Sequence, residues 1–195
     1  MIAYLQGTFS YKNPAVVYVD VNGVGYEVNI SLNTYSQIQN LKQGRLYTYL
    51  QVKEDAHSLF GFFETTEKEM FVSLISVSGV GAGTARIMLS SMRPEEIRNA
   101  ILKGDARTLE SVKGIGKKTA ERLVLELKDK VGKQPFESAG NNSISNNTIE
   151  QDALNALVAL GIGKPVAEQA VRKTTAAEPS IVSLEELIKK SLKAI

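Results

Sequence analysis

The sequence predicts an α+β, multidomain protein: a small N-terminal β-barrel, a central helical domain, a flexible linker and a C-terminal helical domain. Three observations lead there. Through the first sixty residues apolar and polar side chains alternate with period two, as in half-buried strands. From Glu64 onward the period becomes that of amphipathic helices. Then Lys133–Thr148, "KQPFESAGNNSISNNT", is rich in Ser, Asn and Gly and nearly free of large apolar residues. Such a stretch cannot offset the entropy of ordering and reads as a linker. The expected boundaries are 1–63, 64–133, 134–148 and 149–195.

Within the first segment, "AVVYVDV" (Ala15–Val21) and "YEVNI" (Tyr26–Ile30) alternate cleanly around "NGVG" (Asn22–Gly25). Asn and Gly tolerate positive φ, so this is a hairpin turn. "RLYTYLQVK" (Arg45–Lys53) and "SLFGFF" (Ser58–Phe63) make a second pair, and "IAYLQGTFSY" opens the chain. Five strands in about 60 residues fit an OB-type barrel, whose closure leaves few free edges. An SH3-like barrel is the alternative.

In the second segment, "TEKEMFVSLISV" places Phe71, Leu74 and Ile75 on one helical face. "PEEIRNAILKGD" opens with Pro94, Glu95 and Glu96, suited to a first helical turn. The third helical stretch is "GKKTAERLVLELKDKVG". After the linker, "DALNALVALGI" gives a helix ending at Gly161, "KPVAEQAVRKT" a second beginning with Pro165, and "SLEELIKKSLKAI" a third. Ser183 and Glu186 stand at capping-box spacing before that last helix.

Composition narrows the chemistry. There is no Cys, and His57 is the sole histidine, so thiolate metal sites and histidine clusters are excluded. No metal or cofactor is expected. The opening "MIAYLQGTFSYK" lacks the basic and apolar runs of a secretory signal. No apolar stretch reaches the roughly 18 residues of a membrane span. A soluble cytoplasmic protein is therefore expected. Net charge is only +2, but residues 63–133 hold thirteen Lys and Arg against ten Asp and Glu, net +3. The positive surplus lies in the central segment.

That segment also holds a repeat. "GVGAGTA" from Gly79 aligns with "GIGKKTA" from Gly114 at an offset of 35 residues, each between helical stretches. The first four N–H groups of a helix lack internal partners, and the dipole makes that end partly positive. Glycine removes the Cβ that would obstruct an approaching anion and permits the turn. Gly79, Gly81, Ala82 and Gly83, and Gly114, Gly116, Lys117 and Lys118, are thus candidate phosphate contacts. Val80 and Ile115 should pack inward. Arg122 and Arg86 lie further along the two following helices, where a solvated helix face is an equal reading. A site of main-chain amides and Lys reads phosphate without base sequence.

Other glycine sites fit poorly. A dinucleotide fingerprint needs a strand before the glycines, whereas a helix precedes them, and Thr84 stands at the third Gly. A P-loop needs glycine where Ser111 lies and Ser or Thr where Lys118 lies. Glycines also simply turn αα-hairpins, but two copies matching at Gly-x-Gly and Thr-Ala argue for a shared ligand.

"SGVGAGTA" and "KGIGKKTAERL" resemble the paired helix-hairpin-helix motifs of the RuvA family of Holliday-junction branch-migration proteins. "MIAYLQG", "VKEDAHSLFGF", the Asn/Ser linker and "ALVALGI" follow in that family's order, so the resemblance covers the whole chain. It implies an OB-fold domain, a tandem helix-hairpin-helix domain and a UBA-like C-terminal domain. It implies a non-catalytic homotetramer, or an octamer of two such tetramers, that holds four-way DNA junctions open in recombination, repair and the SOS response. It further implies recruitment of a RuvB-type hexameric ATPase and association with a RuvC-type resolvase. Glu54 and Asp55, an acidic pair at a hairpin tip, correspond to the family's acidic pin; by themselves they read as a polar turn. His57 beside them is given no role. Leu157, Leu160, Ile162 and Leu192 map onto the ATPase-binding surface, or else form the core of a small bundle. Ala82-Gly83 replaces the family's common Pro-Lys, so the second hairpin is expected to carry more affinity. The rival class is a helix-hairpin-helix repair enzyme, a nuclease or glycosylase, for which Asp105 and Glu110 are the nearby carboxylates. A protein-interaction module without a DNA role is a third reading.

Overall fold

The computed structural model describes residues 1–133, 146–178 and 183–194. They form two compact units, one holding the barrel and the central helices and the other the C-terminal helices.

Five strands, β1 (Tyr4–Lys12), β2 (Val16–Val21), β3 (Val24–Ile30), β4 (Gln43–Val52) and β5 (His57–Phe62), close in the order β1-β2-β3-β5-β4. β3 and β5 run parallel, with Asn29 opposite Phe60 and Ile30 opposite Gly61. The other neighbours are antiparallel. This is the OB arrangement, not the SH3-like one. Leu5, Phe9, Val17, Val19, Val28, Ile30 and Leu46 fill the interior. They sit at alternating positions because the period-two pattern puts one face of each strand inside.

A helix that the sequence pattern did not announce, α1 (Leu32–Ile38), lies between β3 and β4. The Ser31 side chain caps it by accepting from Thr34 N. At its other end the Lys12 ammonium donates to the Ile38, Gln39 and Leu41 carbonyls, at 3.2, 2.8 and 2.6 Å. A cation there complements the helix dipole.

The central helices are α2 (Thr65–Ile75), α3 (Ala82–Ser91), α4 (Pro94–Lys103), α5 (Ala106–Glu110) and α6 (Lys117–Lys133). Their core is continuous with β5: Phe71 of α2 meets Phe62, Phe60 and Tyr49 at ring-centroid distances of 4.9, 5.1 and 5.5 Å. Burying a phenylalanine ring of this kind stabilises by about 2–3 kcal/mol. Polar bonds reinforce the seam. The buried Glu67 carboxylate on α2 accepts from Ser31 Oγ and, at 2.7 Å, from Thr34 Oγ1 at the start of α1.

The second unit comprises α7 (Asn146–Ala159), α8 (Lys164–Ala177) and α9 (Leu184–Lys193), around Ala153, Leu157, Ala167, Val171 and Leu187. The linker expected over 134–148 lies outside the described residues except for its last three, Asn146–Thr148, which already belong to α7. Polar residues that open helices resemble loop in composition. Ser183 precedes α9 as its cap residue but makes no side-chain capping bond, so the expected capping box does not form. Glu186 instead pairs with Lys190 at 2.8 Å.

Candidate nucleic-acid interface

The two glycine turns have the same backbone. Gly79 and Gly114 both have φ of +95°, where an L side chain costs about 1–2 kcal/mol. After each comes a buried residue whose amide bonds back three positions: Val80 N to Val77 O at 3.1 Å, Ile115 N to Val112 O at 3.0 Å. Val80 and Ile115 therefore pack inward, as expected. Gly81 and Gly116 then lead into α3 and α6. Their carbonyls accept the first helical bonds, from Ala85 N and Ala120 N, at 2.9 Å each.

The turns also face each other. A Cβ on Gly79 would lie 3.7 Å from Thr119 Oγ1, and one on Gly114 would lie 3.7 Å from Thr84 Cγ2. Thr84 and Thr119 are themselves 35 positions apart, so each turn rests on the helix that follows the other. The contacts are reciprocal and bring the starts of α3 and α6 together.

Among the described residues, no acceptor is bonded to the amides of Gly81, Ala82, Gly83 and Thr84, or of Gly116, Lys117, Lys118 and Thr119. Gly81 has no side chain with which to cap α3. Around Gly81, Gly83 and Gly116 the space a Cβ would occupy is open. Each turn therefore presents a set of unpartnered donors on a positive helix end, the arrangement that suits a phosphate oxygen.

The side chains divide the two turns. Lys117 and Lys118 are exposed and have no ion pair among the described residues, and exposed Lys113 flanks the same turn. Lys113 was missed because the residue matching it in the first turn is Ser78, which is uncharged. In the first turn Ala82 is buried, so its contribution is limited to its amide. Arg122 donates to Glu126 Oε1 at 2.8 Å, which balances its charge within α6. Arg86 points to the barrel: its guanidinium donates to Ala15 O at 3.1 Å and Asn29 Oδ1 at 2.9 Å. Of the two readings of Arg86, neither a free solvated face nor an unengaged cation describes it: its guanidinium is bonded to the barrel.

Glu54 and Asp55 lie at the tip of the β4–β5 hairpin, closed by Lys53 N donating to Ala56 O at 3.0 Å. Both carboxylates are exposed and unpartnered among the described residues, and His57 beside them is exposed. Asp105, a carboxylate an enzyme would need, is otherwise engaged. It caps α5 by accepting from Thr108 Oγ1 at 2.6 Å and Thr108 N at 3.1 Å, bonds that hold its carboxyl below the usual carboxylate value. Among the described residues no group of three or more His, Asp or Glu could hold a metal ion. None of the described helices is long and apolar enough to cross a membrane.

In the second unit, the four predicted surface residues separate. Leu157 is 0% exposed and belongs to the core, the alternative the sequence left open for it. Ile162 packs partly against that core. Leu160 and Leu192 are 64% and 43% exposed. Val158 and Val166, which the sequence pattern did not single out, are exposed as well.

Comparison with known proteins agrees along the whole chain. Residues 1–61 match the family model described as RuvA N terminal domain, 71–129 the SAM-like helix-hairpin-helix tandem, and 148–195 the RuvA C-terminal domain. A protein of Cytophaga hutchinsonii named Holliday junction branch migration complex subunit RuvA is 48% identical, over 99% of each chain. Proteins of the same name from Flavobacterium psychrophilum and Bacteroides fragilis are 49% and 41% identical, covering 99% and 100% of each chain. The chain belongs to the RuvA family.

Proposed function

We propose that this protein binds four-way DNA junctions through phosphate contacts at its twin hairpins and presents them to a RuvB-type hexameric ATPase for branch migration in recombination and repair. The observation that carries this reading is the pair of adjoining helix N-termini with open, unpartnered amides. Two such ends spaced along one surface fit successive phosphates of a duplex arm and ignore base identity. The chain is the non-catalytic DNA-binding subunit; the motor is a separate polypeptide.

Glu54 and Asp55 supply the preference for junctions. Exposed carboxylates repel phosphates only within about 8–10 Å at physiological salt. A homotetramer gathers four such pairs around one axis, where they oppose continuous duplex and part the strands at the crossover. The division of labour gives residues 1–133 to the junction and the C-terminal helices α7–α9 to the ATPase. Leu160, Ile162 and Leu192 form the apolar contact for the ATPase. A RuvC-type resolvase joins the complex, which works in the cytoplasm.

The test is a gel-shift comparison of junction and linear duplex, with wild type beside Gly114→Asp and Lys117→Glu/Lys118→Glu. Wild type should prefer the junction and both variants should lose it. Equal binding by all three proteins would refute the reading. For the partner, Leu160→Asp/Leu192→Asp in the full chain should abolish ATPase co-sedimentation while leaving junction binding intact.

A further inference from the structure

The residue matching Arg86 in the second hairpin is Glu121, 35 positions on; among the described residues it has no partner. Arg86, by contrast, begins a hydrogen-bonded chain. Its Nη1 donates to Asn29 Oδ1 at 2.9 Å and to Ala15 O at 3.1 Å. Asn29 Nδ2 in turn donates to Leu59 O at 3.3 Å. Leu59 is the third residue of β5, the strand that leaves the acidic hairpin at His57. The chain therefore runs from the helix of the first glycine turn, through β3, to the strand that leaves the hairpin of Glu54 and Asp55.

The C-terminal end of α3 is fastened too. Leu32 N donates to Ser90 Oγ at 3.1 Å, and Asn33 Nδ2 donates to the Leu89 and Met92 carbonyls at 2.5 and 3.1 Å. α3 is thus bonded to barrel-side residues at its middle and at its C-terminal end. α6, which follows the second turn, packs chiefly on α4 and α5 and also meets α2.

We infer that Arg86 is a positioning residue that sets the first phosphate-binding turn at a fixed distance from the acidic pair, and that this spacing governs preference for junction over duplex. The inference rests on the function proposed above. Repulsion from Glu54 and Asp55 is effective only at short range, so it discriminates only if the turn holding the DNA cannot shift to relieve it. Arg86 thus acts on selectivity, and the open amides act on affinity.

The experiment measures junction and duplex dissociation constants, with their salt dependence, for wild type, Arg86→Met, Arg86→Lys, Asn29→Ala and the double variant Arg86→Met/Asn29→Ala. In parallel, spin labels at Ser78→Cys and Asp55→Cys report the turn-to-pin distance without DNA. The chain has no native cysteine to interfere, and dilution into unlabelled protein leaves only intrachain pairs. Arg86→Met and Asn29→Ala should each lower the junction-to-duplex preference by about fivefold, the scale of one or two hydrogen bonds. The double variant should lose no more than either single one, duplex affinity and salt slope should stay constant, and the label distance should broaden. Equal loss on junction and duplex with a shallower salt slope, repaired by Arg86→Lys and absent in Asn29→Ala, would make Arg86 a phosphate contact and overturn the inference. An unchanged preference in both single variants would overturn it as well. Should wild type itself show no junction preference, the proposed function fails. The positioning role then stands or falls on whether Arg86→Met broadens the label distance.

Discussion

The two glycine turns share one backbone form and differ in the side chains that flank it. Both reach φ of +95°, both bury the residue after the glycine, and both open a helix with unpartnered amides. The first has Ala82 and Gly83 at positions where the second has Lys117 and Lys118. The helix after the first is bonded to the barrel through Arg86, whereas the helix after the second packs chiefly on α4 and α5. Backbone geometry therefore makes both turns candidate phosphate sites, and the side chains set them apart. One is held in place, and the other is charged.

That contrast breaks first at the glycines. A carboxylate at either positive-φ glycine strains the turn and repels the anion it should bind. Gly114→Asp should weaken junction binding on the order of a hundredfold, because charge-assisted bonds to amides and two lysines go together. Gly79→Asp should cost about tenfold, since no cation is lost with it. Equal losses in a titration at fixed salt would show that the lysines add nothing. The lysines can be isolated next. Lys117→Glu/Lys118→Glu should make the slope of log affinity against log salt shallower by about two, with each neutralised phosphate contributing about 0.9.

The reverse change sharpens the comparison. Gly83 is exposed, has an ordinary φ and has open space at its Cβ position, so Gly83→Lys gives the first turn a cation without strain. It should steepen the salt slope by about one and raise junction affinity several-fold. Ala82→Lys, at the buried neighbouring position, should instead lower the melting temperature.

The smallest effect concerns the support of the first turn. Burial pushes the Glu67 carboxyl above the ordinary carboxylate value, although the Ser31 and Thr34 hydroxyls pull it back. The folded protein thus keeps this proton to higher pH than the unfolded chain does. The resulting stability is full below the unfolded value and is lost as pH rises through the folded one. Melting temperatures across the weakly acidic range should therefore fall with rising pH in wild type relative to Glu67→Gln. A difference that rises with pH would contradict the burial effect.

These particulars also mark what could be read from the sequence. The strands were legible because half-buried surfaces alternate, and the twin turns because a glycine's positive φ is a local demand. The helix α1 was not. It buries only Thr34 and Ile38, and its buried polar contact is with Glu67, thirty-three positions from Thr34. No local period encodes such a contact. The direction of Arg86 was hidden for the same reason, since Asn29 is fifty-seven positions away. Leu157 was ambiguous because "ALVALGI" is apolar on several faces, and only packing against α8 and α9 selects which one is covered.

Amide spectra of the deuterated protein, recorded while a four-way junction is titrated in, address the phosphate sites themselves. Amides that donate to phosphate move downfield. Gly116, Lys117 and Lys118 should move first and furthest, with Gly81, Ala82 and Gly83 following at higher occupancy. If the junction binds while those six signals stay still, the open helix ends are not where this protein holds DNA.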